Sequence, residues 1–167
     1  HGNLAIGENN EAALYLVNEV FSQMKLPLII AGSRPGSDLR NAVAKKNHIT
    51  LIADLTTKQI HQLISDAHIN VLPTFQPTGI KLKLLSALYN GRFALVNPMM
   101  VENTGLENLC EIAATPSQMR VRAAELMEMD FRNSDIKTRE KILNENFSNS
   151  VNAQKLADLI FSTGKGL

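Results

Sequence analysis

Apolar and polar residues follow one another along this chain in two rhythms, and the change from one to the other marks out its elements. Uninterrupted apolar runs of strand length fall at residues 25–31, Ile49–Ala53, 69–73 and 92–97. Between them lie longer stretches whose apolar residues recur every three or four positions, the spacing of one helix face. The first such stretch is 8–24, where Ala12, Leu16, Val20 and Met24 recur at four-residue intervals, with Asn9 or Asn10 as its N-cap. The second is 37–46, opened by Gly36-Ser37-Asp38. The third is 56–66, capped by Thr56 or Thr57 and burying Ile60, Leu63 and Ile64. The fourth is 79–89, with Thr78 as N-cap and Gly91 as its stop. An irregular stretch at 98–107 and an extended piece through Ile112 follow. Then come helices at Pro116–Met127, 135–145 and 148–161, and a frayed tail at 162–167.

Strand–helix–strand repetition implies parallel strands joined by right-handed crossovers. The expected fold is therefore a doubly wound, Rossmann-like α/β/α domain of three layers with helices at its C-terminal end, spanning residues 1–167. Runs without alternation, such as Pro27-Leu28-Ile29-Ile30-Ala31, predict strands buried on both faces. In such sheets ligands lie beyond the carboxyl ends of the strands, so the chemistry belongs in the strand-to-helix loops.

Composition narrows the classes. Seventeen basic and sixteen acidic residues give a net charge of +1, which offers no strong field for nucleic acid or an anionic membrane. The single Cys110 excludes an internal disulfide or a cysteine-based zinc site, and its apolar neighbours predict an inert buried thiol in a reducing, cytoplasmic setting. His48, His61 and His68 lack zinc spacing. No apolar run reaches the length of about 20 residues that spans a bilayer, and no signal peptide is visible. The chain opens at His1 rather than Met, which suggests that a preceding part of the natural protein is absent from the sequence.

Three loops carry candidate chemistry. The first, from His1 to Asn10, has two glycines and three asparagines that permit close backbone approach to a ligand or a plain turn. The second, Ala31-Gly32-Ser33-Arg34-Pro35-Gly36, follows a buried strand, so its amides and Arg34 face either an anion or solvent; it fits neither a Walker loop nor a dinucleotide fingerprint. The richest is Thr74-Phe75-Gln76-Pro77-Thr78-Gly79-Ile80-Lys81-Leu82-Lys83, where free helix amides meet two lysines. Cations at a helix start oppose its dipole by a few tenths of a kcal/mol each at an exposed site, a cost that a bound diphosphate would reverse. On a helical wheel Lys81 falls within the buried arc and Lys83 on the opposite face, beside Gly79 and Ser86. Both lysines hold phosphate or reach past the helix to water. In a further loop, Asn103-Thr104-Gly105 is turn chemistry, and Glu102 meets a sugar hydroxyl or caps the next segment.

These pieces, in this order, resemble the C-terminal, donor-nucleotide-binding half of retaining GT-B glycosyltransferases of the glycosyltransferase group 1 family. His1-Gly2-Asn3-Leu4 with Glu8-Asn9-Asn10 is similar to the family's Gly-Arg-Leu…Lys-Asn opening, and Leu28-Ile29-Ile30-Ala31-Gly32-Ser33-Arg34-Pro35 to its strand–Ala-Gly-x-Gly-Pro step. Residues 49–55 resemble its Val-x-Phe-x-Gly strand, and residues 66–74 its Ala-Asp-Val-x-Val-x-Pro-Ser segment. Residues 79–92 match its Gly-Ile-Lys-x-Lys-x-Leu-Glu-Ala-Leu-x-x-Gly-Arg helix.

The resemblance implies two Rossmann-like domains facing a cleft, and transfer of a hexose with retention and without a bound metal or cofactor. The donor is a nucleoside-diphosphate sugar and the acceptor a glycan or a lipid-linked sugar. A mannosyltransferase of polysaccharide biosynthesis is one such enzyme. Lys81 and Arg34 would stabilise the departing diphosphate. Asn3, Gly32, Ser33, Thr78, Gly79, Ile80 and Lys83 would hold the donor, with the base against Ala53 and the ribose at Ser86. The protein's own N-terminal domain would bring the acceptor, and the full-length protein would work in the cytoplasm or peripherally at the inner face of the membrane. Three departures stand out. Thr78 and Ser86 replace the family's two glutamates, Asn3 and Glu8 or Asn9 replace its basic residues, and the loop at Gly32 lacks its second glycine. They leave room for a non-catalytic glycosyltransferase-like partner; a nucleotide-sugar epimerase half is another reading. A phospho-acceptor receiver domain would need acidic residues after the first and third strands, and these are missing.

Overall fold

The structure, a computed structural model, describes residues 1–76 and 81–162, which form two compact units within His1–Asp130 and Phe131–Leu167. In the first unit the strands are β1 (Gly2–Asn3), β2 (Leu28–Ser33), β3 (Ile49–Ala53), β4 (Ile69–Leu72), β5 (Phe93–Val96) and β6 (Glu111–Ile112). All ladders are parallel, and they form two half-sheets ordered β1-β2-β3 and β4-β5-β6. The helices are α1 (Gly7–Tyr15), α2 (Ser37–Ala44), α3 (Thr57–Asp66), α4 (Leu82–Asn90), α5 (Pro98–Val101) and α6 (Pro116–Met127). The α/β architecture with parallel strands and flanking helices is the one expected.

Local chemistry explains most boundaries. Thr56 accepts from the amide of Gln59, whose side chain in turn bonds the Thr56 amide, so α3 opens with a reciprocal cap. Thr115 and Gln118 open α6 in the same way, with Pro116 fixing the first helical φ. β5 is buried along its whole length, as an apolar run in a parallel sheet should be. Leu84, Ala87 and Leu88 of α4 pack inward.

Several expectations are corrected. The helix at 8–24 is not uniform: α1 gives way to a wide π turn at Leu16–Val20 and a 3-10 turn at Phe21–Gln23. Its N-cap is Ile6, with no side-chain bond, because Asn9 and Asn10 are used across space instead. The loop before it contains a short strand, since Gly2 and Asn3 pair with Gly32 and Ser33. β2 begins at Leu28 rather than Lys25. It is not buried on both faces, because Ile29 is 53% exposed. The irregular 98–107 stretch contains α5. Cys110 is half-buried rather than enclosed, lying between a 3-10 turn at Glu107–Leu109 and the edge strand β6. Gly91 does end α4, but at φ −102° it is not left-handed. Space requires it: a Cβ there would stand 2.3 Å from Asn70 Nδ2 and 2.9 Å from the Ala87 carbonyl oxygen.

In the second unit α7 (Asn133–Phe147) and α8 (Asn149–Ser162) are joined at Ser148, whose extended backbone breaks the helix. The Arg139 guanidinium lies 5.0 Å from the centroid of the Phe131 ring, a cation–π contact. Residues 163–167, the expected frayed tail, lie outside the described residues.

Gly32 fixes how β1 meets β2. A Cβ at residue 32 would stand 2.1 Å from the Gly2 carbonyl oxygen and 2.8 Å from Leu4 Cγ. Gly32→Ala must therefore push the two backbones apart, and it should lower unfolding free energy by about 1–3 kcal/mol in urea denaturation. An unchanged midpoint would mean that β1 does not lie where it is described.

Candidate functional site

Because every strand is parallel, the carboxyl ends of the strands gather at one edge: Asn3, Ser33, Ala53, Leu72 and Val96 close their strands there. A polar set assembles in the loops above them. Thr74 is clasped by Asn97, whose Oδ1 accepts from the Thr74 amide at 3.0 Å and whose Nδ2 donates to the Thr74 carbonyl at 2.6 Å. The Thr74 hydroxyl donates to Glu8 Oε1 at 2.6 Å. Asn9 Nδ2 donates to the Asn3 carbonyl at 2.8 Å, while its Oδ1 accepts from Lys83 Nζ. Loop 1, the Thr74 loop and the first turn of α4 are thereby tied into one surface.

Lys83 is the centre of this surface. Burial lowers the pKa of its ammonium from the usual lysine value, while the carboxylate of Glu8 acts in the opposite direction. Its Cε would lie 3.1 Å from a Cβ placed on Gly2. Far from projecting opposite the core, it is half-buried against loop 1, because β1 brings that loop across the start of α4. The amino group of His1 lies buried near it, and burial first, then the charge of Lys83, pushes that group down to about 6. Ser86, three residues on and on the same side of α4, is also half-buried.

The helix start differs from the one expected. α4 begins at Leu82 with Lys81 as a non-helical N-cap (φ −81°, ψ 59°), and its first internal bond is from the Leu85 amide to the Lys81 carbonyl. Thr78, Gly79 and Ile80, expected to carry the diphosphate amides, lie outside the described residues. Lys81 Nζ donates to the Gln76 carbonyl at 2.9 Å, which ties it to the loop rather than to α4.

Of the second loop, Gly32 serves the close approach to β1, Ser33 is half-buried and Arg34 is exposed. Arg34 adopts φ 51°, and Asp54, just past half-buried Ala53 at the end of β3, adopts φ 57°. Both are left-handed conformations that cost a side-chain-bearing residue roughly 1–2 kcal/mol. Arg34 stands where the resembled pattern has its second glycine, so the backbone keeps a glycine-like turn while the side chain adds a cation at the edge. Asn103 at φ 58° and Gly105 at φ 69° form the turn expected of them, and Glu102 is exposed at the end of α5.

The Glu8–Thr74–Asn97 set was not singled out in the sequence. Its one local signal is an asparagine at a strand end directly before Pro98, and the partner residues are 23 and 66 positions apart. The histidines are structural: His48 Nε2 lies 2.9 Å from the Phe21 carbonyl and His68 Nε2 lies 2.9 Å from that of Leu126. Among the described residues no group of three or more His, Cys, Asp or Glu side chains is placed to hold a metal ion, and no helix is long and apolar enough to cross a membrane.

A parallel sheet flanked by helices, with its polar loops at the carboxyl edge, defines a Rossmann-like α/β domain. No known family's model matches the chain, and no curated protein does. Among solved structures it is similar to an alpha,alpha-trehalose-phosphate synthase (UDP-forming) from Burkholderia xenovorans, in complex with glucose-6-phosphate, with a TM-score of 0.62 and 14% identity. The match covers 95% of this chain and 42% of that one, so the chain spans less than half the length of that protein. At this identity the likeness carries the fold.

Two substitutions test this geometry. Asn97→Ala strips two bonds from Thr74, which is only 2% exposed, and should cost on the order of 2 kcal/mol by chemical denaturation. Arg34→Gly relieves a left-handed side-chain-bearing residue and should leave stability unchanged or raise it by up to about 1 kcal/mol. A clear loss of stability in Arg34→Gly would contradict the assigned φ.

Proposed function

We propose that this chain is the donor-binding part of a glycosyltransferase that moves a hexose from a nucleoside-diphosphate sugar to a glycan or lipid-linked acceptor with retention. The observation that carries the reading is Lys83: a half-buried cation at the carboxyl edge, beside the first turn of α4, with no carboxylate in ion-pair contact among the described residues. A desolvated ammonium is costly until an anion meets it. A diphosphate fits that need, and the exposed Arg34 and the loop-bound Lys81 add charge to the same edge.

In this proposal Lys83, Lys81 and the loop amides at 78–80 hold the diphosphate, and Arg34 and Lys81 take up the negative charge that develops as the bond from the sugar's anomeric carbon to the phosphate oxygen breaks. Asn3, Gly32 and Ser33 line the floor, Ala53 meets the base, and Ser86 bonds a ribose hydroxyl in place of a glutamate. The acceptor and the rest of the machinery come from an N-terminal domain, and the whole protein works in the cytoplasm or at the inner membrane face. The likeness to a protein described as a UDP-forming synthase supports this class of donor. A non-catalytic glycosyltransferase-like partner is the second reading. Glu8, whose carboxylate stands near Lys83, and the neutral Ser86 favour it, because both weaken the hold on a donor.

Isothermal titration with UDP, GDP, ADP and CMP, each beside its bare nucleoside, decides between them. One diphosphate should bind in the micromolar to millimolar range, roughly −4 to −8 kcal/mol. Lys83→Ala and Lys81→Ala should each weaken it about tenfold, or about 1.4 kcal/mol, and leave the nucleoside unchanged. Equal losses for both ligands, or no binding of any nucleotide, would overturn the assignment.

A further inference from the structure

Between the two half-sheets runs a slot of about 400 Å³, bounded by β2 at residues 28–31 on one side and by β4 on the other. β2 is paired with β1 only at Gly32 and Ser33, and β4 is the edge of its half-sheet, so among the described residues both strands present an unpaired backbone edge to this slot. The direction of each peptide group follows from the ladders. The Leu28 amide bonds the His48 carbonyl and the Gly32 carbonyl accepts from Asp54, so even-numbered residues of β2 face β3, while Ser33 faces β1 through its bond from Leu4. Ile29 and Ala31 therefore point their N–H and C=O groups into the slot. In β4 the His68 carbonyl accepts from Phe93 of β5, which leaves Ile69 and Val71 facing the slot.

We propose that the slot is the seat of one further parallel strand, formed by the residues of the full-length protein that lead directly into Gly2, which closes the two half-sheets into a single sheet. The ladder that pairs Gly2 with Gly32, carried back along the chain, sets His1 opposite Ala31 and the three residues before it opposite Ile30, Ile29 and Leu28. The lining has the chemistry of a core. Helices α1, α3 and α6 contribute Ala12, Ala13, Leu16, Ile60, Leu63 and Ala123, and Ile29 is exposed in mid-strand only because nothing covers that side. Two polar atoms at the upper end support the same occupant: His1 Nε2 is buried without a partner and the amino group beside it is buried too, an environment suited to a peptide amide. The four slot-facing peptide groups of β2 and β4 would then gain the partners that buried backbone requires. The strand must be apolar on both faces, as in other buried parallel strands.

The probe is the five-residue segment Lys-Val-Leu-Val-Val joined before His1, compared with Gly-Ser-Gly-Ser-Gly at the same place and with the 167-residue chain itself. Amide hydrogen exchange is followed residue by residue. The apolar segment should slow exchange at Ile29, Ala31, Ile69 and Val71 at least tenfold. Leu28, Ile30, Asn70 and Leu72, which already face β3 or β5, should change less, and the Gly-Ser segment should slow none of them. Melting supplies a second readout: the apolar segment should raise Tm by about 5 °C or more, and Ile29→Thr should remove more of that gain than it costs the 167-residue chain. The proposal is overturned if the four amides are already as protected as their neighbours without the segment, or stay fast with it. Protection that appears only as the protein is concentrated would mean that a second copy fills the slot, and would equally overturn it.

Discussion

The first unit depends on a polar tie at the carboxyl edge. Its two half-sheets share no backbone ladder among the described residues, yet the Asn97 side chain grips both backbone groups of Thr74, and the Thr74 hydroxyl reaches Glu8 at the start of α1. These bonds join the β4–β5 half-sheet to the helix that follows β1. Buried side-chain bonds of this kind contribute modestly when made, but removing one partner leaves desolvated groups unmatched. The apolar core needs this registration, because Leu84, Leu88, Leu95 and Val96 can be buried together only once β4, β5 and α4 are held in place.

The same tie builds the candidate site. Glu8 and Asn9 sit one residue apart at the start of α1, and they turn to different tasks: Glu8 to Thr74, Asn9 to Asn3 and Lys83. Lys83 is brought down onto loop 1 instead of reaching into water, at the cost of partial desolvation. A cation in that position is poor for stability and useful for an anionic ligand, a conflict expected where binding chemistry sits at a strand edge. The left-handed Arg34 and Asp54, both just past strand ends, show the same compromise in the backbone.

A groove between two strand edges and a polar surface above it are different kinds of concavity. The groove is apolar and flanked by peptide groups that ask for a strand. The surface above has cations and amide side chains that ask for an anion. Their separation follows from the parallel sheet, which sends backbone hydrogen bonds sideways and loops upward.

Much of this was determined by the sequence alone. The apolar runs placed β3 to the residue and β4 and β5 to within one residue at each end, and the Thr56–Gln59 and Thr115–Gln118 pairs are legible as helix starts because capping is a local bond. The parallel α/β fold follows from the alternation of the two rhythms. Tertiary structure decided what depends on distant partners. β1 is two residues long and exists only because Gly32 lets Gly2 approach. Asn9 and Asn10 abandon capping for Lys83 and Asp38, and Gly91 is required by Asn70 rather than by its own φ. Lys83, on the outer face by helical spacing, is half-buried because loop 1 crosses it. Local pattern fixes which face a residue takes on its own element, and only packing fixes what that face will meet.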